Sequence, residues 1–163
     1  MVLGTADICD RYADLIQVAD PGLHNFGGIK RISAPIETLK IYRDNTRFWE
    51  FLSEPGQERI LVVDAGGDLS AVMGDKMATI AAESGWKGML INGYVRDTEV
   101  LAQLPLAVWA LGAYPMKKAF QARAQSSVSL DFHSVHWTPG DQLYADADGI
   151  LLASSALPGF DPF

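Results

Sequence analysis

The sequence predicts an α/β fold with parallel strands, and two apolar runs separated by a helical segment carry that prediction. Ile60 to Val63 is a continuous run of aliphatic residues, as is typical of a strand buried on both faces. Gly88 to Val95 is a second apolar run, and between the two, apolar and small residues recur at helical spacing from Met77 to Ser84. A strand, a helix and a strand in this order form a βαβ unit, whose strands run parallel.

Upstream of this unit, the sequence predicts two helices and a strand. Thr5 is expected to cap a first helix over Ala6 to Leu15, which has acidic residues near its positive end. Ile36 to Tyr42 is predicted to be a strand, and a second helix is expected from a cap at Asn45 to about Leu52. Turns rich in Gly and Pro separate these elements.

Downstream of the unit, the sequence predicts a short helix and a β-rich carboxyl-terminal part. The helix covers Glu99 to Leu104 and ends at Pro105, and Leu106 to Leu111 is a further apolar strand. Four more strands are expected between turns: Val128–Phe132, His136–Trp137, Gln142–Ala145 and Ile150–Ala153. Since no internal repeat or linker interrupts the chain, residues 1–163 are expected to form one domain.

Composition and charge narrow the class of function. The 13 basic and 20 acidic residues give a formal net charge of −7, which argues against a nucleic-acid surface, because such a surface needs clustered Lys and Arg. The single cysteine, Cys9, fits a reducing compartment. No basic start and long apolar run mark a signal peptide, and no apolar stretch reaches the roughly 18 residues of a membrane span. We therefore expect a cytoplasmic protein that binds neither nucleic acid directly nor a membrane.

The chemistry is expected at the carboxyl edge of the βαβ unit. The crossover helix begins where the first strand ends, and the second strand ends at the same edge, so the Gly74–Met77 segment is expected near Arg96. A helix amino terminus offers free N–H groups to a carboxylate, and Gly74 allows close approach. The Arg96 guanidinium matches a carboxylate or enolate oxygen. Asp75 and Asp97 are hard oxygen ligands of the kind that holds Mg²⁺ or Mn²⁺ together with water.

A purely structural interpretation of these residues stays open. Asp75 could be only a helix cap, and Arg96 with Asp97 only an exposed turn that carries a surface ion pair. Such placements are common in α/β proteins. Spacing alone therefore does not decide between a binding site and a solvated edge.

Other candidate sites find less support. His133 and His136 are three residues apart on a predicted strand, so they should point to opposite faces and make poor joint metal ligands. Gly66-Gly67 lacks the lysine and spacing of a P-loop. Asp146 and Asp148 alternate with alanine before a glycine, which is more typical of a turn than of a second metal site.

Motifs along nearly the whole chain resemble the RraA-like family. They are Asp10-Arg11-Tyr12, Asn25–Gly28, Val62–Gly67, Gly74-Asp75, Trp86–Gly88, Asn92–Asp97 and Gly140–Ile150. The most specific part is an aspartate followed, after twenty residues, by Arg-Asp. The family includes regulators of ribonuclease E activity, and metal-dependent aldolases that cleave 4-hydroxy-4-methyl-2-oxoglutarate to two pyruvates and also decarboxylate oxaloacetate. The resemblance implies a swivelling β/β/α domain that assembles as ring-shaped trimers.

The resemblance also implies a role for each site residue. Four consecutive residues would supply backbone N–H groups to the carboxylate of a pyruvyl group: Gly74, Asp75, Lys76 and Met77. Arg96 would contact the substrate, Asp97 would bind Mg²⁺ or Mn²⁺ directly, and Asp75 would orient a water molecule on the metal. Regulators without catalysis tend to lose the aspartate after the arginine, whereas this sequence keeps Asp97. The expected function is therefore a divalent-metal-dependent lyase that cleaves a 2-oxo acid to pyruvate.

Two departures from the family pattern keep an alternative open. Larger aldolases carry a carboxyl-terminal extension with an acidic residue that reaches a neighbouring subunit, and this sequence lacks it. Short members often have a glycine-rich segment after the strand near residue 111, whereas Lys117 to Ser127 contains no glycine. The alternative function is a non-catalytic regulator that inhibits a ribonuclease E-type nuclease through an acidic trimer surface.

Overall fold

The structure is a computed structural model that describes residues 2–42, 46–118, 123–159 and 163. The strands in these ranges are β1 (Ile16–Val18), β2 (His24–Asn25), β3 (Ile32–Ile41), β4 (Ile60–Asp64), β5 (Ala71–Met73), β6 (Gly88–Val95), β7 (Ala107–Ala113), β8 (Ala124–Ser126), β9 (Leu130–Phe132), β10 (Val135–Trp137), β11 (Gln142–Ala145) and β12 (Ile150–Ala153). The helices are α1 (Thr5–Tyr12), α2 (Thr46–Leu52), α3 (Asp75–Glu83) and α4 (Thr98–Leu101). Within the same ranges, no helix is both long and apolar enough to cross a membrane. The predicted α/β class is confirmed.

Four parallel strands form the middle of the main sheet, in the order β3, β4, β6 and β7. Each is joined to the next by a connection that contains a helix: α2 after β3, α3 after β4 and α4 after β6. The predicted βαβ unit is confirmed as the central one of these three, with Val62 of β4 opposite Leu90 of β6. Because the four strands run the same way, their carboxyl ends lie along one edge of the sheet.

Strand β3 belongs both to the parallel strands and to an antiparallel layer. Its first residues, Ile32–Pro35, pair antiparallel with β11, whereas Ile36–Lys40 pair in parallel with β4. Beyond β11, the sheet continues through β12 to β1 in antiparallel order. The β-rich carboxyl-terminal part is therefore confirmed, and β11 and β12 have their predicted bounds.

Apolar side chains cover both faces of the parallel strands, as the continuous apolar runs predict. The cluster on the helix side includes Phe48, Leu52, Leu61, Met77 and Met89. The cluster between the parallel strands and the antiparallel layer includes Val62, Leu90, Trp109, Trp137 and Leu143. Burying one such side chain contributes about 1.5–3 kcal/mol. The parallel strands are thus held from both sides, which makes their carboxyl edge a firm support for a site.

The first helix differs from its prediction at both ends. Helix α1 is capped by Gly4, so the predicted cap by Thr5 is wrong. The reason is a tertiary contact, because the Thr5 hydroxyl donates to the Asp146 carboxylate at 2.6 Å. The α-helix ends at Tyr12 and one 3₁₀ turn follows, so the helix predicted to Leu15 is too long.

The remaining differences concern short elements and strand ends. Four strands of two or three residues were not expected from the pattern, because runs this short show no periodicity: β1, β2, β5 and β8. Strand β3 begins at Ile32 rather than Ile36, since its extra residues pair with β11. Helix α4 ends at Leu101 rather than Leu104. Asn45, the predicted cap of α2, lies outside the described residues.

The Asp146 side chain connects α1 to the turn between β11 and β12. Its carboxylate accepts the Thr5 N–H at 2.8 Å, the Thr5 hydroxyl at 2.6 Å and the Asp148 N–H at 2.9 Å. Burial alone would raise the pKa of Asp146, but these hydrogen bonds outweigh it, so the pKa lies below its ordinary value of 3.8. This contact confirms the predicted turn around Asp146 and explains the docking of the first helix.

Replacing Asp146 by Ala should lower the free energy of unfolding by about 1–3 kcal/mol at neutral pH, because Thr5 loses its acceptor. A group with a lowered folded-state pKa stabilises above its ordinary value, 3.8 here, and loses that contribution as the pH falls through the folded value. Urea unfolding of wild type and variant should therefore converge in acid. The exposed Asp148→Ala is the matched control, with a change under about 0.5 kcal/mol. A difference that persists in acid would contradict the assignment.

Candidate functional site

A small cleft at the carboxyl edge of the parallel strands contains the predicted site segments. This edge cleft has a volume of about 150 Å³. Its lining residues are Trp49, Gly74, Asp75, Lys76, Met77, Arg96, Asp97 and Lys117. The structure thus brings together the segment around Asp75 and the Arg96-Asp97 pair, which twenty residues of chain separate.

A short strand positions the two segments relative to each other. Strand β5, between β4 and α3, pairs in parallel with the end of β6, and Met73 lies opposite Val95. The Arg96 N–H donates to the Met73 carbonyl at 3.0 Å. Helix α3 begins two residues after Met73. Its amino terminus is therefore held beside the end of β6 by backbone hydrogen bonds.

Residue 74 is a glycine because its neighbours approach closely, and its backbone conformation is not the reason. Its φ of −133° is accessible to any residue. A Cβ at this position would lie 2.4 Å from Asp97 Oδ2 and 3.4 Å from Arg96 Cγ. The first distance is far below van der Waals contact. The absence of a side chain at residue 74 thus allows the Asp97 carboxylate to reach the start of α3.

Asp97 adopts a left-handed backbone conformation, with φ 58° and ψ 38°. It is the N-cap residue of α4, yet its side chain does not cap that helix. Instead, Oδ2 accepts the Asp75 N–H at 3.2 Å. Left-handed backbone costs a non-glycine residue about 1–2 kcal/mol, and such strain is concentrated at functional sites. Here it directs a 40% exposed carboxylate into the edge cleft rather than toward the helix that follows.

Arg96 has an incompletely satisfied guanidinium. Its Nε is buried and has no hydrogen-bond partner among the described residues. The distance from Nε to Asp97 Oδ2 is 3.9 Å, too long for a hydrogen bond. Nη1 reaches the Pro115 carbonyl at 3.5 Å, at the limit for one. A buried donor without a partner costs about 1–3 kcal/mol, so a tight surface ion pair does not describe this arginine.

The oxygen donors of the edge cleft fit a divalent metal held in part by other ligands. Asp97 offers an exposed carboxylate that accepts a single N–H, and Asp75 Oδ1 accepts the Lys76 N–H at 2.8 Å. Among the residues that the structure describes, no three His, Cys, Asp or Glu side chains form a metal-binding group. Mg²⁺ and Mn²⁺ are commonly bound through one or two carboxylates, with water and substrate as the other ligands. Asp75 and Asp97 match that donor set.

Sequence reasoning missed two residues of the edge cleft. Trp49 of α2 lies at the cleft and is 38% exposed. Lys117 lies beyond the end of β7. The order of strands could have predicted its location, because β7 is parallel to β6 and the segment after β7 therefore reaches the same edge of the sheet. The prediction covered the βαβ unit alone, without the strand after it. Residues 119–122 of the glycine-free segment lie outside the described residues.

The two histidines interact with different partners. His133 lies in the turn between β9 and β10 with φ 49°, so the expectation that it lies on a strand is wrong. Its Nδ1 is 3.2 Å from the Asp20 carbonyl oxygen. His136 lies on β10, with Nδ1 2.7 Å from Asp131 Oδ1. The turn arises because two short strands form a hairpin where sequence spacing indicated extended chain.

The family model described as RraA-like, Aldolase/RraA, matches residues 5–152 of the chain. The chain belongs to the RraA-like family. The resemblance that its motifs indicate is therefore confirmed over most of its length, which includes every residue of the edge cleft.

Similar proteins carry different names. A protein of Laribacter hongkongensis named "Putative 4-hydroxy-4-methyl-2-oxoglutarate aldolase" is 41% identical over 154 residues, which cover 94% of this chain and 97% of that protein. A crystal structure from Geobacillus kaustophilus HTA426, described as an S-adenosylmethionine:2-dimethylmenaquinone methyltransferase, has a TM-score of 0.91 and 36% identity, and the match covers 98% of this chain and 99% of that one. The RNA-processing inhibitor RraA from Thermus thermophilis has a TM-score of 0.91 and 35% identity over 99% of each chain. The names describe different functions, and the chemistry of the site has to distinguish among those functions.

Replacing Gly74 by Ala should displace the Asp97 carboxylate, because the added methyl group would first meet Oδ2. We expect a cost of about 1–3 kcal/mol in stability and loss of the hydrogen bond from the Asp75 N–H. In ¹⁵N–¹H NMR spectra, the Asp75 amide proton should shift upfield. Gly149→Ala is the matched control, since nothing lies within 4 Å of its Cβ position. An unchanged Asp75 resonance in the Gly74 variant would disprove the close contact.

Proposed function

We propose that this protein is a divalent-metal-dependent lyase that cleaves a 2-oxo acid to pyruvate, of the 4-hydroxy-4-methyl-2-oxoglutarate aldolase or oxaloacetate decarboxylase type. The observation that carries the proposal is the convergence of a helix amino terminus, an unsatisfied arginine and an exposed carboxylate in the edge cleft. Its volume of about 150 Å³ is below the roughly 300–1,000 Å³ of sites for drug-sized ligands. It suits a small acid better than a cofactor that contains a nucleoside.

The start of α3 would bind the substrate carboxylate. Two N–H groups there already have carboxylate oxygens as acceptors: the Asp75 N–H donates to Asp97 and the Lys76 N–H to Asp75. Carboxylate oxygens thus fit this helix terminus, and the helix dipole favours a substrate carboxylate there. The Met77 side chain is buried in the core and holds the first turn of α3 in place.

Arg96 would stabilise the oxygen that becomes negative as the carbon–carbon bond breaks. Its guanidinium lines the edge cleft, and a charged donor fixed before the reaction stabilises a developing oxyanion without reorganisation. Asp97, with Asp75 beside it, would hold Mg²⁺ or Mn²⁺, which supplies Lewis-acid polarisation of the substrate's oxygens. In the aldol reaction, Asp75 would accept, through a water molecule, the proton of the substrate hydroxyl.

The alternative is a non-catalytic regulator of a ribonuclease E-type nuclease. The net charge of −7 and the 35% identical RNA-processing inhibitor favour it. However, a regulator that acts through its surface charge needs neither the Asp97 carboxylate in a cleft nor the Arg96 guanidinium beside it. These two features lead us to prefer the lyase.

We also propose a cytoplasmic homotrimer. Large apolar side chains exposed on the chain, such as Leu15 at 58% and Val18 at 52%, suit burial between subunits. Light scattering should give about three times the chain mass of 17.7 kDa, and the mass of a monomer would contradict the assembly.

Asp97→Asn should abolish metal-dependent pyruvate release from oxaloacetate and from 4-hydroxy-4-methyl-2-oxoglutarate. Asparagine tolerates the left-handed backbone, so the variant removes the charge and keeps the fold. Chelation of the metal should inactivate the wild type in the same way. Glu99→Ala, an exposed acid on α4, is the matched control and should stay active. The lyase fails if the wild type with Mg²⁺ or Mn²⁺ releases pyruvate from neither substrate above the rate with metal alone.

Arg96→Lys should reduce the rate of pyruvate release by about 10²-fold or more, because an ammonium cannot reproduce the guanidinium fork on a planar oxo acid. Metal affinity, measured by calorimetry with Mn²⁺, should change little, since Arg96 is not among the oxygen donors. The exposed Arg11→Lys serves as control. If the wild-type protein inhibits a ribonuclease E-type nuclease and turns over neither acid, the regulator is correct instead.

A further inference from the structure

The edge cleft contains a cation for which the proposed reaction has so far no use. Lys117 lines the cleft beside Arg96 and Asp97. Its ammonium makes no hydrogen bond or ion pair with any residue that the structure describes, and its side chain is exposed. The neighbouring Lys118 is also exposed but does not line the cleft. The two lysines therefore have the same charge and the same side-chain length, and they differ in that Lys117 lines the cleft and Lys118 does not.

Hydrogen bonds on both sides of Lys117 fix its backbone relative to the start of α3. The preceding residue, Met116, accepts the Ala71 N–H at 2.8 Å. The following residue, Lys118, donates its N–H to Ser70 Oγ at 3.0 Å, and Ser70 is 1% exposed. Ser70 and Ala71 lead directly into β5, which positions Gly74. The backbone of Lys117 is thus fixed beside the cleft, unlike the backbone of a lysine in a freely moving surface loop.

The cationic side chains of the cleft outnumber its carboxylates. Three cationic side chains, Lys76, Arg96 and Lys117, line it together with two carboxylates, Asp75 and Asp97. The cleft is therefore positive in a chain whose net charge is −7. In the proposed reaction, the start of α3 and Arg96 bind the 2-oxo acid end of the substrate, and Asp97 holds the metal at that end. A monocarboxylic acid would leave the Lys117 charge without a partner.

We propose that Lys117 is a specificity-determining residue that pairs with a second carboxylate, at the far end of a dicarboxylic 2-oxo acid. The inference rests on the proposed function, because that function sets the orientation of the substrate. An ammonium on a flexible four-carbon stem binds a carboxylate as a point charge and adapts to acids of different length. In the aldol reaction the distal carboxylate keeps its charge while the bond between the third and fourth carbon atoms breaks, so this contact contributes to binding rather than to the chemical step.

Calorimetric titration in the presence of Mg²⁺ tests the pairing without any turnover. The probes are 2-oxoglutarate and 2-oxopentanoate, two five-carbon acids that differ only in the distal carboxylate. Wild type should bind 2-oxoglutarate more tightly, by a factor on the order of tenfold, the size of one charge-assisted hydrogen bond. Lys117→Met should remove most of this preference, and Lys118→Met, which loses the same charge outside the cleft, should retain it. A preference that survives in Lys117→Met, or is absent in wild type, would overturn the inference.

Kinetics separate this inference from the function on which it rests. With 4-hydroxy-4-methyl-2-oxoglutarate, Lys117→Met should raise KM about tenfold and leave kcat within a factor of about two. A fall in kcat with an unchanged KM would overturn the specificity role. If the two probes bind with the expected preference and wild type releases no pyruvate from oxaloacetate or 4-hydroxy-4-methyl-2-oxoglutarate, the lyase is wrong and the Lys117 contact stands. If pyruvate is released and the variant keeps the wild-type preference, the lyase stands and the Lys117 contact is wrong.

Discussion

The contact between the Asp75 N–H and the Asp97 carboxylate, made across a glycine without room for a side chain, is the constraint on which the candidate site depends. It joins the start of a helix to the end of a strand that lies twenty residues further along the chain. It also requires Asp97 to take a backbone conformation that aspartate tolerates at a cost. The carboxylate, the helix terminus and Arg96 face one cleft because this contact is made.

The rest of the fold supports that contact from below. Apolar clusters on both faces hold β4 and β6 between the helices and the antiparallel layer. The short β5 then carries the chain along the end of β6 and delivers Gly74 beside Arg96. A site on such strand ends is held more precisely than one on a long loop, because backbone hydrogen bonds of the sheet fix its position.

Family membership narrows the function without deciding it, because similar chains bear the names of an aldolase, a methyltransferase and an RNA-processing inhibitor. The state of individual groups distinguishes these possibilities. The Arg96 guanidinium and the Lys117 ammonium suit the oxygen atoms of a small anion, and the exposed Asp97 carboxylate suits a divalent metal. The overall fold does not distinguish these functions, because the similar proteins share it.

Sequence patterns were enough to predict the α/β class, the βαβ unit and the proximity of Asp75 to Arg96, because apolar periodicity and the parallel-strand rule are local signals with one geometric consequence. Features that depend on distant partners could be seen only in the folded chain. Thr5 enters α1 rather than capping it because Asp146, far along the chain, takes its hydroxyl. Lys117 joins the cleft because β7 runs parallel to β6 and residues 70 and 71 anchor the segment beyond β7. Such contacts leave no periodicity in the sequence, since they join residues whose spacing along the chain has no relation to their distance in space.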